Sequence, residues 1–149
     1  MSERAVRGSC LCGAVSFEVT RFEGPFELCH CPRCRKVTGS SFVAGVRVLA
    51  SDFRWLGGAG EIDVFELPLR DHPPPYRTAF CRHCGSPTPP PPPLPEDFEI
   101  PAGLFDDAGV PSPDRHIFVE HLPTWDEISG DLPQLDLPAL ARLRGFVRD

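Results

Sequence analysis

From Gly13 to Thr20 the chain alternates Val15, Phe17 and Val19 against Ser16 and Glu18, the period-two pattern of a strand with one buried face. Phe42 to Leu49, Ile62 to Leu67 and Tyr76 to Phe80 are rich in β-branched and aromatic residues and bounded by Gly, Pro or Asp. Each is predicted to be a strand, and Ser51 to Gly60 a turn between two of them. Two further strands are expected at Phe98 to Leu104 and His116 to His121, separated by the acidic loop Asp106 to Asp114. Thr124 to Glu127 has the form of a capping box and predicts a short helical turn. Leu140, Leu143 and Val147 fall at helical spacing, so Pro138 to Phe146 is expected to form a brief helix. The pattern is that of a mostly β chain with short helical turns.

Ser86 to Pro95 contains seven prolines, with Pro89 to Pro93 unbroken. Loss of backbone donors excludes this stretch from sheet interior and favours extended polyproline II. It reads as a stiff surface connection; a ligand for a proline-recognising groove is the alternative. No internal repeat occurs, which argues against a repeat architecture.

The length of 149 residues suits a single domain with its own core. Fifteen basic residues against 21 acidic ones give a net charge of -6. That balance argues against general affinity for nucleic acid or an anionic membrane. Lys36 is the single lysine among arginines, a bias that points to GC-rich coding and a bacterial source. The first residues, Met1 to Cys10, contain no apolar signal core, and no 18-residue apolar run follows, so a cytoplasmic location is expected. In a reducing compartment, seven cysteines are better explained as metal ligands or reactive thiols than as disulfides, and the odd count agrees.

Those cysteines fall into three groups. Cys10-Leu11-Cys12 heads the first alternating strand, and extended backbone places residues i and i+2 on one face. Cys81-Arg82-His83-Cys84-Gly85 has the two-residue gap of a zinc knuckle, with Gly85 free to make the tight turn. Together they offer four thiolates, a closed tetrahedral set of the structural kind. Cys29-His30-Cys31-Pro32-Arg33-Cys34 offers three, leaving the fourth position of an ion to water or substrate, the pattern of catalytic zinc. Another division remains open, in which these three take one thiol from the others. Three thiolates leave Zn²⁺ with net negative charge, which Arg33, Arg35 and Lys36 could offset; as surface charges they need do nothing. His30 and His83, lying between ligands, should point away from the metal. His72, His116 and His121 are assigned structural roles.

The words Gly8-Ser9-Cys10-Leu11-Cys12-Gly13-Ala14-Val15, Cys29-His30-Cys31-Pro32-Arg33-Cys34-Arg35-Lys36 with Thr38-Gly39-Ser40, Phe80-Cys81-Arg82-His83-Cys84-Gly85-Ser86, and His116-Ile117-Phe118-Val119 followed by Trp125 resemble the family of glutathione-dependent formaldehyde-activating enzymes and centromere protein V. The resemblance spans about residues 8–135, all seven cysteines included, and leaves residues 136–149 as a C-terminal extension. It implies a zinc-containing β-tent (Mss4-like) fold with two zinc ions per chain: a structural one on Cys10, Cys12, Cys81 and Cys84 and a catalytic one on Cys29, Cys31 and Cys34. It further implies a carbon-sulfur lyase that adds the glutathione thiol to formaldehyde, giving S-hydroxymethylglutathione, with a small thiol as partner. The proline run at residues 87–95 departs from the family pattern. A non-enzymatic zinc-stabilised binding module and a labile zinc-handling protein are the competing functions.

Overall fold

The computed structural model describes residues 4–67 and 76–145. In chain order its strands are β1 (Val6–Ser9), β2 (Ser16–Val19), β3 (Phe26–Cys29), β4 (Val43–Leu49), β5 (Phe53–Gly57), β6 (Ile62–Glu66), β7 (Arg77–Cys81), β8 (Asp97–Pro101), β9 (Arg115–Ile117) and β10 (Gln134–Leu135). Two seven-residue helices accompany them, α1 (Pro32–Thr38) and α2 (Leu137–Leu143). The architecture is mostly β, as the alternation predicts. Among the described residues, no helix is long and apolar enough to cross a membrane. These residues group into two compact units, one drawn from Met1–Gly24 and Arg47–Val110, the other from Pro25–Val46 and Pro111–Asp149.

The first unit is built around the predicted alternating strand. β2 lies between β1 and β5, antiparallel to both. Val15, Phe17 and Val19 are each fully buried, whereas Ser16 and Glu18 are half-buried on the other face. Phe17 packs on Phe53, Trp55 and Phe105, with ring centroids 5.5, 6.5 and 5.6 Å away. β1 presses so closely on this ring that a Cβ on Gly8 would stand 2.5 Å from it. β6 and β7 form a separate antiparallel pair that sets Ile62 opposite Cys81.

The expected turn at Ser51 to Gly60 instead contains β5. Gly57 and Gly58 signal a turn, but Phe53 and Trp55 gain burial against Phe17 by extending beside β2, and tertiary packing overrides the local signal. The strands expected at Phe98 to Leu104 and His116 to His121 end sooner, each passing into a short 3-10 turn. At Thr124 to Glu127 there is a turn rather than a helix, closed by the Asp126 N–H on the Pro123 carbonyl at 3.1 Å. The Pro-rich stretch is a loop, as expected, but Thr88 and Pro89 within it are buried. The predicted C-terminal helix is present as α2, its start capped by Asp136, whose carboxylate accepts the Ala139 N–H at 2.9 Å. Its last expected residue, Phe146, and His72 lie outside the described residues.

In the second unit β3 is flanked by β4, antiparallel, and β9, parallel, with β10 beyond β9. Glu27 on β3 faces its register partner Arg115 on β9. This carboxylate is 3% exposed and accepts from Arg115 Nε at 2.7 Å and from Arg144 Nη2 at 2.8 Å. Both oxygens of a buried charge are thus satisfied, and the second contact ties the end of α2 to the central strand. Removing a partner from such a group costs more than the pair itself is worth, because the charge left behind is buried. Arg115→Leu is therefore expected to lower unfolding stability by about 3–5 kcal/mol in a urea titration. Arg144→Leu, which leaves the shorter contact intact, should lower it by less.

Candidate metal centres

Cys10 directly follows β1 and opens a tight turn in which the Gly13 N–H bonds the Cys10 carbonyl at 3.0 Å, Gly13 holding φ 81°. The turn brings Cys12 back beside Cys10. At the end of β7 the Gly85 N–H bonds the Cys81 carbonyl at 2.8 Å in the same fashion, bringing Cys84 round to Cys81. The sulfurs of Cys10, Cys12, Cys81 and Cys84 all lie within 4.8 Å of one another. Cys10 to Cys12 is 3.6 Å and Cys12 to Cys81 is 3.8 Å. A tetrahedron with Zn–S bonds of about 2.3 Å has edges of about 3.8 Å, so the set fits zinc. Val15 and Ile62 back the buried Cys10 and Cys81, with Trp55 packed alongside.

Ser86, to which the cysteine spacing gives no weight, joins the two halves: its hydroxyl oxygen accepts the Leu11 N–H at 3.0 Å and stands 3.4 Å from Cys84 Sγ. Hydrogen bonding by Ser86 pulls the Cys84 thiol down to about 5. Cys12 is pushed up to about 11: the Ala14 backbone N–H favours its thiolate, but desolvation and the neighbouring thiols outweigh it. Four clustered sulfurs cannot all hold charge without a cation. His83 turns away from them and bonds Glu61 at 2.8 Å.

The second cluster is made where a strand becomes a helix. Cys29 is the last residue of β3, Cys31 is the N-cap of α1, and Cys34 lies in the first helical turn. The Cys34 N–H donates to Cys31 Sγ at 3.4 Å, so the thiol does the work of a capping oxygen. Pro32 supplies the first helical residue, and Gly39, at φ 67°, ends the helix. The three sulfurs lie within 4.8 Å of one another, and among the described residues no other Cys, His, Asp or Glu joins them. Hydrogen bonds from Cys29 and then Cys34 bring Cys31 down to about 2. The same partnership pushes Cys29 up to about 12 and also raises Cys34. Without a cation the trio carries one negative charge, centred on Cys31. Of the cations considered for charge offset, Lys36 is exposed, while Arg35 is half-buried with its Nε unpartnered.

His30 is 1% exposed and directed into the second unit rather than toward the sulfurs' company. Its Nδ1 donates to the Ser41 carbonyl at 3.0 Å, and its Nε2 lies 2.8 Å from Nδ1 of His116. Burial lowers the pKa of both rings, so both are neutral at pH 7. His30 then carries its proton on Nδ1, and His116 Nδ1–H donates to His30 Nε2. The Ser41 hydroxyl in turn donates to Asp126. His116 is thus structural, but as a hydrogen-bond partner 86 positions from His30 that no local pattern reveals. His121 sits beside Glu120 at the surface.

A mostly β chain carrying one four-sulfur and one three-sulfur cluster belongs among the cysteine-clustered proteins suited to metal ions. The model of the glutathione-dependent formaldehyde-activating enzyme family matches residues 5–121, and the chain belongs to that family. A Halomonas elongata protein that bears the family's name is 29% identical over 126 residues, covering 83% of this chain and 80% of that one. The crystal structure of a Rhodobacter sphaeroides protein superposes with a TM-score of 0.51 at 24% identity, over 69% of this chain and 90% of that one. It bears on the fold alone.

The thiol pKa directions predict how the three-sulfur cluster would take up a zinc ion. Cys29 and Cys34 hold protons at neutral pH, and both must be lost when an ion binds. Apparent affinity should therefore fall as pH falls, by about 100-fold per pH unit between pH 6 and 8. Competition with a chromophoric chelator measures this, and a pH-independent affinity would contradict the protonation pattern.

Proposed function

We propose that this chain is a zinc-dependent carbon-sulfur lyase of the β-tent type. It joins a small glutathione-like thiol to formaldehyde in the cytoplasm, with Cys10, Cys12, Cys81 and Cys84 holding a structural ion and Cys29, Cys31 and Cys34 a catalytic one. The observation that carries the reading is the incomplete cluster: three sulfurs within 4.8 Å and no fourth protein donor among the described residues. Membership of a family defined by glutathione and formaldehyde supplies the substrate class.

Zinc at that cluster would supply a Lewis acid able to lower a thiol's pKa or polarise a carbonyl oxygen. The chain's own residues do the rest. Cys29, Cys31 and Cys34 would hold the ion with three thiolates, and with no fourth protein donor among the described residues one coordination position would be left to water or substrate. Arg33, Arg35 and Lys36, in and just after the motif, offset the excess negative charge of three thiolates and favour an anionic thiol over a neutral one. In the reaction the thiol sulfur bonds to the formaldehyde carbon, the carbonyl π pair moves to oxygen, and the thiol's proton ends on that oxygen. Nothing is oxidised and no group departs, which suits a centre whose metal has no redox chemistry.

Cys31→Ser is expected to reduce glutathione-formaldehyde condensation to the spontaneous rate while the far-ultraviolet circular dichroism stays that of the parent. Cys81→Ser should act on stability instead, lowering the thermal midpoint because it opens the closed site. Parent protein that holds two zinc ions yet accelerates no condensation with any small thiol would replace this reading with one of zinc handling.

A further inference from the structure

The two ligands Cys29 and Cys31 flank a residue that is fixed from three directions. The His30 backbone N–H donates to the Ile117 carbonyl on β9 at 3.0 Å. Its ring nitrogens are held by the Ser41 carbonyl at 3.0 Å and by His116 at 2.8 Å. Phe42 packs on the same ring at 5.4 Å between centroids, and the His116 ring stacks on it at 5.1 Å. Ser41 and His116 are themselves buried, at 3% and 7% exposure, and Asp126 anchors the Ser41 hydroxyl. Rotation of the backbone on either side of His30 would break hydrogen bonds that no solvent can replace.

We propose that His30 and His116 are positioning residues for the three-sulfur centre, clamping the Cys29–Cys31 segment from behind so that both thiols stay directed at one ion. The proposal rests on the reading that Cys29, Cys31 and Cys34 bind a metal. Its logic is the difference between the two clusters. A four-thiolate set is closed by its own ligands, whereas an ion held by three can lose its geometry whenever one ligand swings away. The missing constraint has to come from the protein behind the ligands, and outer hydrogen-bond partners of this kind commonly change metal affinity by 10- to 100-fold. Here the support reaches the thiols through the backbone at residue 30 rather than through a bond to sulfur.

The test titrates Co²⁺ into the parent, His116→Leu and His116→Asn, following the thiolate-to-cobalt charge-transfer absorption of each successive ion. His116 is chosen because it lies on β9, away from the ligands in sequence. Asn keeps an N–H close to the place of the imidazole Nδ1–H, and Leu removes it. The second cobalt should bind His116→Leu about 10- to 100-fold more weakly and with an altered band, while the first binds as in the parent and His116→Asn stays near the parent for both. An unchanged second ion in His116→Leu overturns the proposal, as does His116→Asn behaving no better than His116→Leu. Loss of the first ion together with the fold in His116→Leu also overturns it, since the pair would then be a general determinant of folding. A parent chain that takes up one cobalt and no second would overturn the metal reading itself, an outcome separable from the rest by the parent titration alone.

Discussion

Charge repulsion between sulfurs sets the terms for this protein. Seven thiols are gathered into two clusters in which every sulfur lies within 4.8 Å of its fellows, and thiolates that close stabilise one another only through a cation. In the four-sulfur cluster the thiols stand just after β1 and at the end of β7, so a cation there would close a loop between the head of the chain and its middle. Structural zinc of this type contributes on the order of 10–16 kcal/mol, comparable with the whole net stability of a domain. With an ion bound, the packing of Val15, Ile62 and Trp55 around those cysteines would serve as the wall of a metal site.

The same repulsion acts differently where only three sulfurs meet. There a strand end and a helix start supply the ligands, and one of them, Cys31, also caps the helix. If the cluster binds a metal as proposed, local structure and metal ligation would be the same event at this position. A centre that is short of a ligand stays open to a small molecule, and its rigidity must be borne by the strands behind it. Buried Ser41, His30 and His116, with half-buried Asp126 on the Ser41 hydroxyl, provide a set of hydrogen bonds in that place.

Much of this was legible from residues alone, for physical reasons that differ by region. Val15, Phe17 and Val19 announce their strand because one face is buried and the other is not, so period two is written directly into side-chain type. The cysteine gaps mark the groups equally directly, but the reason differs for Cys10 and Cys12: they meet through the turn that the Gly13 N–H closes on the Cys10 carbonyl, not through extended chain. β5 was hidden because its burial depends on Phe17, a distant partner, while its local signal is the Gly57-Gly58 turn. α1 was hidden behind the cysteine motif itself, although Pro32 at its first position and Gly39 just past its end are ordinary helix punctuation. Ser86, Ser41 and the His30–His116 pair could not be found by any local rule, because each acts across tens of residues and is defined by its partner.

Zinc-edge X-ray absorption of the fully loaded chain tests the central claim, a closed site and an open one, most directly. Seven sulfurs shared between two ions predict a mean of about 3.5 sulfurs per zinc, with the remainder made up by a lighter donor. A single zinc per chain, or a mean of four sulfurs with no lighter donor, would contradict it.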